Sequence, residues 1–167
     1  MNMHKDENQH AASAEALKLD ELQRDLLSSL IQSFIAAAPQ SAAREAYVAL
    51  EDAVARMEVA PELVLAMGAI VEVALSTGRI RNMFGPAAEL TLAALFRKTP
   101  RGEAIAGSLR ELNRALAKLK DQPLGEISAA LRKPGVYTLS IASSEYRVVV
   151  RLDHDGAAVE SVETGGG

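Results

Sequence analysis

Apolar residues recur at steps of three and four from Leu19 onward, and from Val136 the pattern changes to alternation of apolar and polar positions. Read this way, the chain is a series of helices followed by strands. In the first predicted helix, roughly Ala14 to Ala38, Leu19, Leu22, Leu26, Leu30 and Phe34 form one stripe, which Leu27, Ile31 and Ile35 widen. Pro39 stops it, and Ser41 caps a second helix to about Glu58, with Tyr47, Leu50, Val54 and Met57 inward. Pro61 opens a third helix that Gly78 closes. Gly85 and Pro86 open a fourth, to about Lys98, and Pro100-Arg101-Gly102 ends it. A fifth helix, about Glu103 to Lys120, sets Ile105, Leu109, Leu112, Leu116 and Leu119 on one seam. Pro123 then starts a short sixth helix terminated by Lys133-Pro134-Gly135.

The remainder reads as a three-stranded antiparallel meander, about Val136 to Glu163, because two turns give one consistent register. With Ser143-Ser144 at the first tip, Ile141 faces Tyr146, Leu139 faces Val148 and Tyr137 faces Val150. With Asp155-Gly156 at the second, Leu152 faces Val159 on the same apolar side and Arg151 meets Glu160 on the other. So small a sheet needs its apolar face covered, and the helices are the available cover. The predicted class is therefore α+β, with five to six helices and a C-terminal meander packed on them.

Length and composition fit this reading. A chain of 167 residues, 49% of them hydrophobic, can bury a core without disulfides or metal. One domain is predicted over residues 13–164, helical over 13–133 and β over 136–163, between a disordered tail 1–12 and a flexible end 165–167. The tail lacks the basic-then-apolar order of a secretory signal. The most apolar run, Leu63 to Leu75, is too short to span a bilayer, which takes about twenty residues. The expected address is cytoplasmic, with no membrane partner. No cysteine is present, which excludes disulfides, thiolate metal sites and thiol nucleophiles.

The net charge of −4 conceals a segregation along the chain. Residues 1–78 carry five Lys/Arg and twelve Asp/Glu, residues 79–133 eleven and five, and residues 134–167 two and five. The net charges are thus −7, +6 and −3. Arg97, Lys98 and Arg101 mark helix ends in the basic segment, and Arg110, Arg114 and Lys118 follow one another along one side of the fifth helix. Solvated faces and helix C-termini account for most such cations. Together the six form a candidate interaction surface. Arg79 and Arg81 fall in a predicted loop between Gly78 and Gly85, beside the start of a helix. With Glu72, the lone acid inside the apolar third helix, they are the candidate contacts for an anionic ligand. Buried, Glu72 would need Arg79 or Arg81 as a partner.

Catalytic spacings are missing. The sequence contains neither G-x-S-x-G nor H-E-x-x-H nor a phosphate-binding G-x-x-x-x-G-K-[ST]. His4 and His10 fall in the tail, and His154 sits near a hairpin tip, where Asp153, His154 and Asp155 lack the further ligands of a calcium loop. No catalytic residue, metal or cofactor is assigned. The functional expectation is a non-enzymatic protein-interaction domain, a scaffold, adaptor or assembly factor, acting as a homo-oligomer with a dimer favoured. Two alternatives accompany it: nucleic-acid binding through residues 79–133, or a small anionic ligand or weakly signalled reaction at Glu72, Arg79 and Arg81.

Overall fold

The computed structural model describes residues 15–37 and 42–165. The predicted tail 1–12 with His4 and His10, the stop at Pro39, the cap at Ser41 and the last two glycines of the end 165–167 lie outside the described residues. Within them the class is α+β, with six helices and a four-stranded antiparallel sheet. The chain divides into two compact units, residues 1–101 and 102–167.

In the first unit, strand β1 (Leu17–Lys18) pairs antiparallel with β2 (Glu58–Val59), a short ladder that the sequence pattern does not announce. Helix α1 (Glu21–Ala37) starts later than predicted because Asp20 and Gln23 close a reciprocal capping box around its first turn. The Gln23 amide donates to Asp20 Oδ1 at 2.8 Å, and the Asp20 amide donates to Gln23 Oε1 at 3.1 Å. Helix α2 (Ala42–Ala55) stops short of Glu58. Met57 takes a left-handed φ of 57°, and its carbonyl accepts from the Leu19 amide at 2.9 Å, which sends the chain into β2.

Pro61 opens α3 (Pro61–Ser76), as expected of a proline at a first helical position. The predicted loop after Gly78 is instead a one-and-a-half-turn helix, α4 (Arg79–Phe84), followed by α5 (Pro86–Phe96). Gly78, at φ 68°, separates α3 from α4 in a backbone region that side-chain-bearing residues avoid. Fully buried side chains from each long element meet in one cluster: Leu27, Leu30 and Ile31 of α1, Leu50 and Val54 of α2, Val71 of α3, and Leu92 and Leu95 of α5. Ile80 of α4 belongs to the same cluster and is completely buried.

The second unit takes most of α6 (Pro100–Ala117) and the strands β3 (Leu124–Lys133), β4 (Val136–Ser143), β5 (Tyr146–Asp153) and β6 (Gly156–Thr164), paired in that order. The predicted sixth helix is therefore a strand, and the meander has four strands rather than three. Leu124, Ile127 and Leu131 recur at helical spacing by coincidence. The Pro134-Gly135 pair read as a helix stop is a two-residue hairpin turn, with proline fixing its own φ and Gly135 supplying φ 79°.

Both predicted tips also move, each by a register step of two. Ile141 pairs with Val148, Leu139 with Val150 and Tyr137 with Leu152. Leu152 pairs with Ala157 and Val150 with Val159. A step of two keeps every side chain on its face, so the predicted apolar side survives while its partners change. The predicted Arg151–Glu160 pair does not form: Arg151 pairs with Asp153 at 2.9 Å, and Glu160 with Arg132 at 3.0 Å.

One helix roofs this sheet within the unit. Leu112, Ala115 and Leu116 of α6, with Leu119 just beyond it, pack on Leu139, Ile141, Val148, Val150, Val159 and Val162. Only the C-terminal half of the predicted seam takes part in that cluster, and Leu109 is exposed.

Candidate interaction surface

The sheet is not covered evenly. Val148 and Val150, on the inner strand β5, are buried beneath α6, whereas all ten residues of the edge strand β3 are exposed. Register places Ile127 opposite Ile141, Ala129 opposite Leu139 and Leu131 opposite Tyr137, so these β3 residues continue the apolar face beyond the helix. Ile127 is 61% exposed and Leu131 62%, among the most open large apolar side chains described. Leu124 and Tyr137 are exposed as well.

The two sheet edges differ in how they meet solvent. On β6 the register slips between Val149 and Val150, leaving Glu160 as an extra residue, and Glu163 adds a second acid; a bulge and charges both discourage further pairing. On β3 the register with β4 is unbroken from Glu126 to Leu131, with irregularities only at either end. That stretch presents an unbroken run of backbone donors and acceptors with no proline. Such an edge is a template for another strand.

The cations and the acid singled out in the sequence are distributed over both units. Glu72 is partly exposed and accepts from Arg101 Nε at 3.3 Å, so its partner is neither Arg79 nor Arg81. Arg79 lies over the Phe34 ring, 5.4 Å from its centroid, and Arg81 pairs with Glu89 at 3.6 Å. The three predicted anion contacts thus each face a different partner. Arg97 stands at the C-cap of α5, where a cation offsets the helix's partial negative charge, and Lys98 follows it, exposed. Arg110 and Arg114 are exposed on α6, and Lys118, one residue past its end, lies over the Tyr146 ring at 5.7 Å.

Asp153, His154 and Asp155 bring potential ligand atoms within 4.8 Å of one another at the β5–β6 turn. Their contacts are those of a turn. The Asp155 amide donates to Asp153 Oδ1 at 2.8 Å, Arg151 pairs with Asp153, and His154 Nε2 lies 3.3 Å from Asp155 Oδ2.

Sequence reasoning missed β3 as the exposed element, because a helix was assigned there. The alternation Ile127, Ala129, Leu131 against Glu126, Ser128, Ala130, Arg132 was its available signal. Among the described residues no helix is long and apolar enough to cross a membrane. No family model matches the chain, and neither a curated protein nor a solved structure does.

Proposed function

We propose that the chain is a protein-interaction domain, of the scaffold, adaptor or assembly-factor kind, that works as a homo-oligomer and not through a catalysed reaction. The observation that carries this reading is β3: a ten-residue sheet edge, exposed along its whole length, that extends an apolar face beyond its covering helix. Ordered soluble domains usually blunt such edges with charge, proline or a bulge, and contiguous exposed apolar surface marks contact with another macromolecule. On β6 the bulge interrupts the paired stretch itself, whereas on β3 the irregularities and most of the charge lie toward the two ends and leave Ile127 to Leu131 unbroken between them.

Light scattering on the full chain tests the reading. At roughly 100 µM, a concentration that populates micromolar complexes, the expected mass is that of a dimer. A monomeric mass there would contradict it. Ile127→Lys, which places a charge at the centre of the open strip without touching a buried residue, is expected to return the protein to monomer while leaving its circular dichroism unchanged.

A further inference from the structure

Resting on the self-association reading, we infer that the partner of β3 is β3 of a second copy. The two strands pair antiparallel about a two-fold axis through Ala129, forming one eight-stranded sheet across the dimer. The strand's own sequence is the argument. An antiparallel pair related by a two-fold axis at Ala129 places Ile127 opposite Leu131 and Ser128 opposite Ala130. It also places Glu126 opposite Arg132, twice over. Apolar meets apolar, small meets small and acid meets base.

Neighbouring registers lose this match. An axis at Ser128 sets Glu126 against Ala130 and leaves Leu131 facing Gly125; an axis at Ala130 sets Ile127 against Lys133. An axis between residues sets Glu126 against Leu131 and turns the apolar side of one strand to the polar side of the other. The register of Glu126 to Leu131 on β4 is unbroken, so the central apolar and small pairs fall on regular strand, and Arg132, at the end of the stretch this pairing uses, is the extra residue between Leu131 and Lys133.

The intrachain partners of the two charges leave room for it. Glu126 is 67% exposed, and its pair with Arg147 is stretched to 3.8 Å. Arg132 is 57% exposed and holds Glu160 at 3.0 Å through one guanidinium nitrogen, leaving other donors of that group for a second carboxylate.

Because the chain contains no cysteine, a single introduced thiol reports position directly. Ala129→Cys is expected to form a disulfide-linked dimer under mild oxidation, since facing residues across an antiparallel pair lie within disulfide reach. Ile127→Cys alone should not, because it would sit four residues, roughly 13 Å, from its mate. Charge exchange provides a second readout. E126R and R132E should each weaken dimerisation about tenfold by placing like charges opposite one another, and E126R/R132E together should restore it.

The double exchange separates the interface from the fold, because it keeps both intrachain pairs mismatched while repairing the contacts between chains. Restoration supports the pairing, and a double variant weaker than either single one overturns it. A dimer that A129C fails to cross-link, or that I127C cross-links as readily, overturns this register and leaves self-association standing. A ladder of larger species would indicate head-to-tail pairing of β3 with β6 and would also overturn it. A monomer at roughly 100 µM removes both the pairing and the reading beneath it.

Discussion

Ile80 explains the segment that Arg79 and Arg81 make conspicuous. It is fully buried in the first unit's cluster, which anchors this short helix and sets Arg79 and Arg81 about 100° to either side of the buried face. Arg81 is 64% exposed in its ion pair, and Arg79 reaches over Phe34. Ile80→Ala is therefore expected to cost about 2–5 kcal/mol, whereas Arg81→Ala should change stability by less than about 1 kcal/mol. Urea titration followed by circular dichroism measures both. Thr138 poses the opposite case on β4: its Oγ1 is buried without a hydrogen-bond partner. Thr138→Val keeps the branched shape and removes the unsatisfied hydroxyl, so the same titration should show a gain of up to about 1 kcal/mol.

Turn chemistry decides the elements of the second unit. Gly135→Ala forces a side chain into the left-handed region at the β3–β4 turn and should destabilise by about 1–2 kcal/mol, although nothing lies within 4 Å of the added carbon. Gly125→Ala, where the nearest atom is the Ala142 carbonyl oxygen at 3.8 Å and φ is not positive, should stay within about 0.5 kcal/mol. Urea melts of the two variants side by side test whether strain, not space, sets the cost.

The same turns show what was legible. The alternation from Val136 to Glu163 gave the apolar face correctly, because a period of two survives any even slip. The tips were not legible from dipeptide preference, since side chains placed before the turns fix them. Ser143 Oγ accepts from the Tyr146 amide at 3.0 Å, closing the loop over Ser144-Glu145, and Asp153 Oδ1 accepts from the Asp155 amide, closing the next over His154-Asp155. Strand β3 was illegible because ten residues containing two alanines and three well-spaced large apolar side chains satisfy a helix as well as a strand, and pairing with β4 decides between them. The candidate surface was lost with it, while four of the eight cations that drew notice, Arg79, Arg81, Arg101 and Lys118, meet partners within their own unit.

For the whole molecule, the two units differ in how much they bury. Among the described residues, the first gathers seventeen buried apolar residues into one cluster; the second gathers four, with partly buried neighbours. A unit of roughly 65 residues is near the lower limit for a core that stands alone, and one whose sheet leaves an edge strand fully exposed lies closer to that limit still. The sequence suggested one cooperative body. Two separate clusters are expected to give two unfolding transitions in calorimetry, the lower belonging to residues 102–167, and that measurement decides between the two readings. Val150→Ala should lower that transition alone, and Leu92→Ala only the upper one. Self-association links the lower transition to mass action, because a partner that binds the folded unit and not the unfolded one stabilises it in proportion to the logarithm of its concentration. Its midpoint should therefore rise over a hundredfold range of protein concentration while the upper stays fixed. A single transition moved equally by both substitutions would bear out the one-body reading, and a lower transition indifferent to concentration would show that the second unit does not depend on a partner copy for stability.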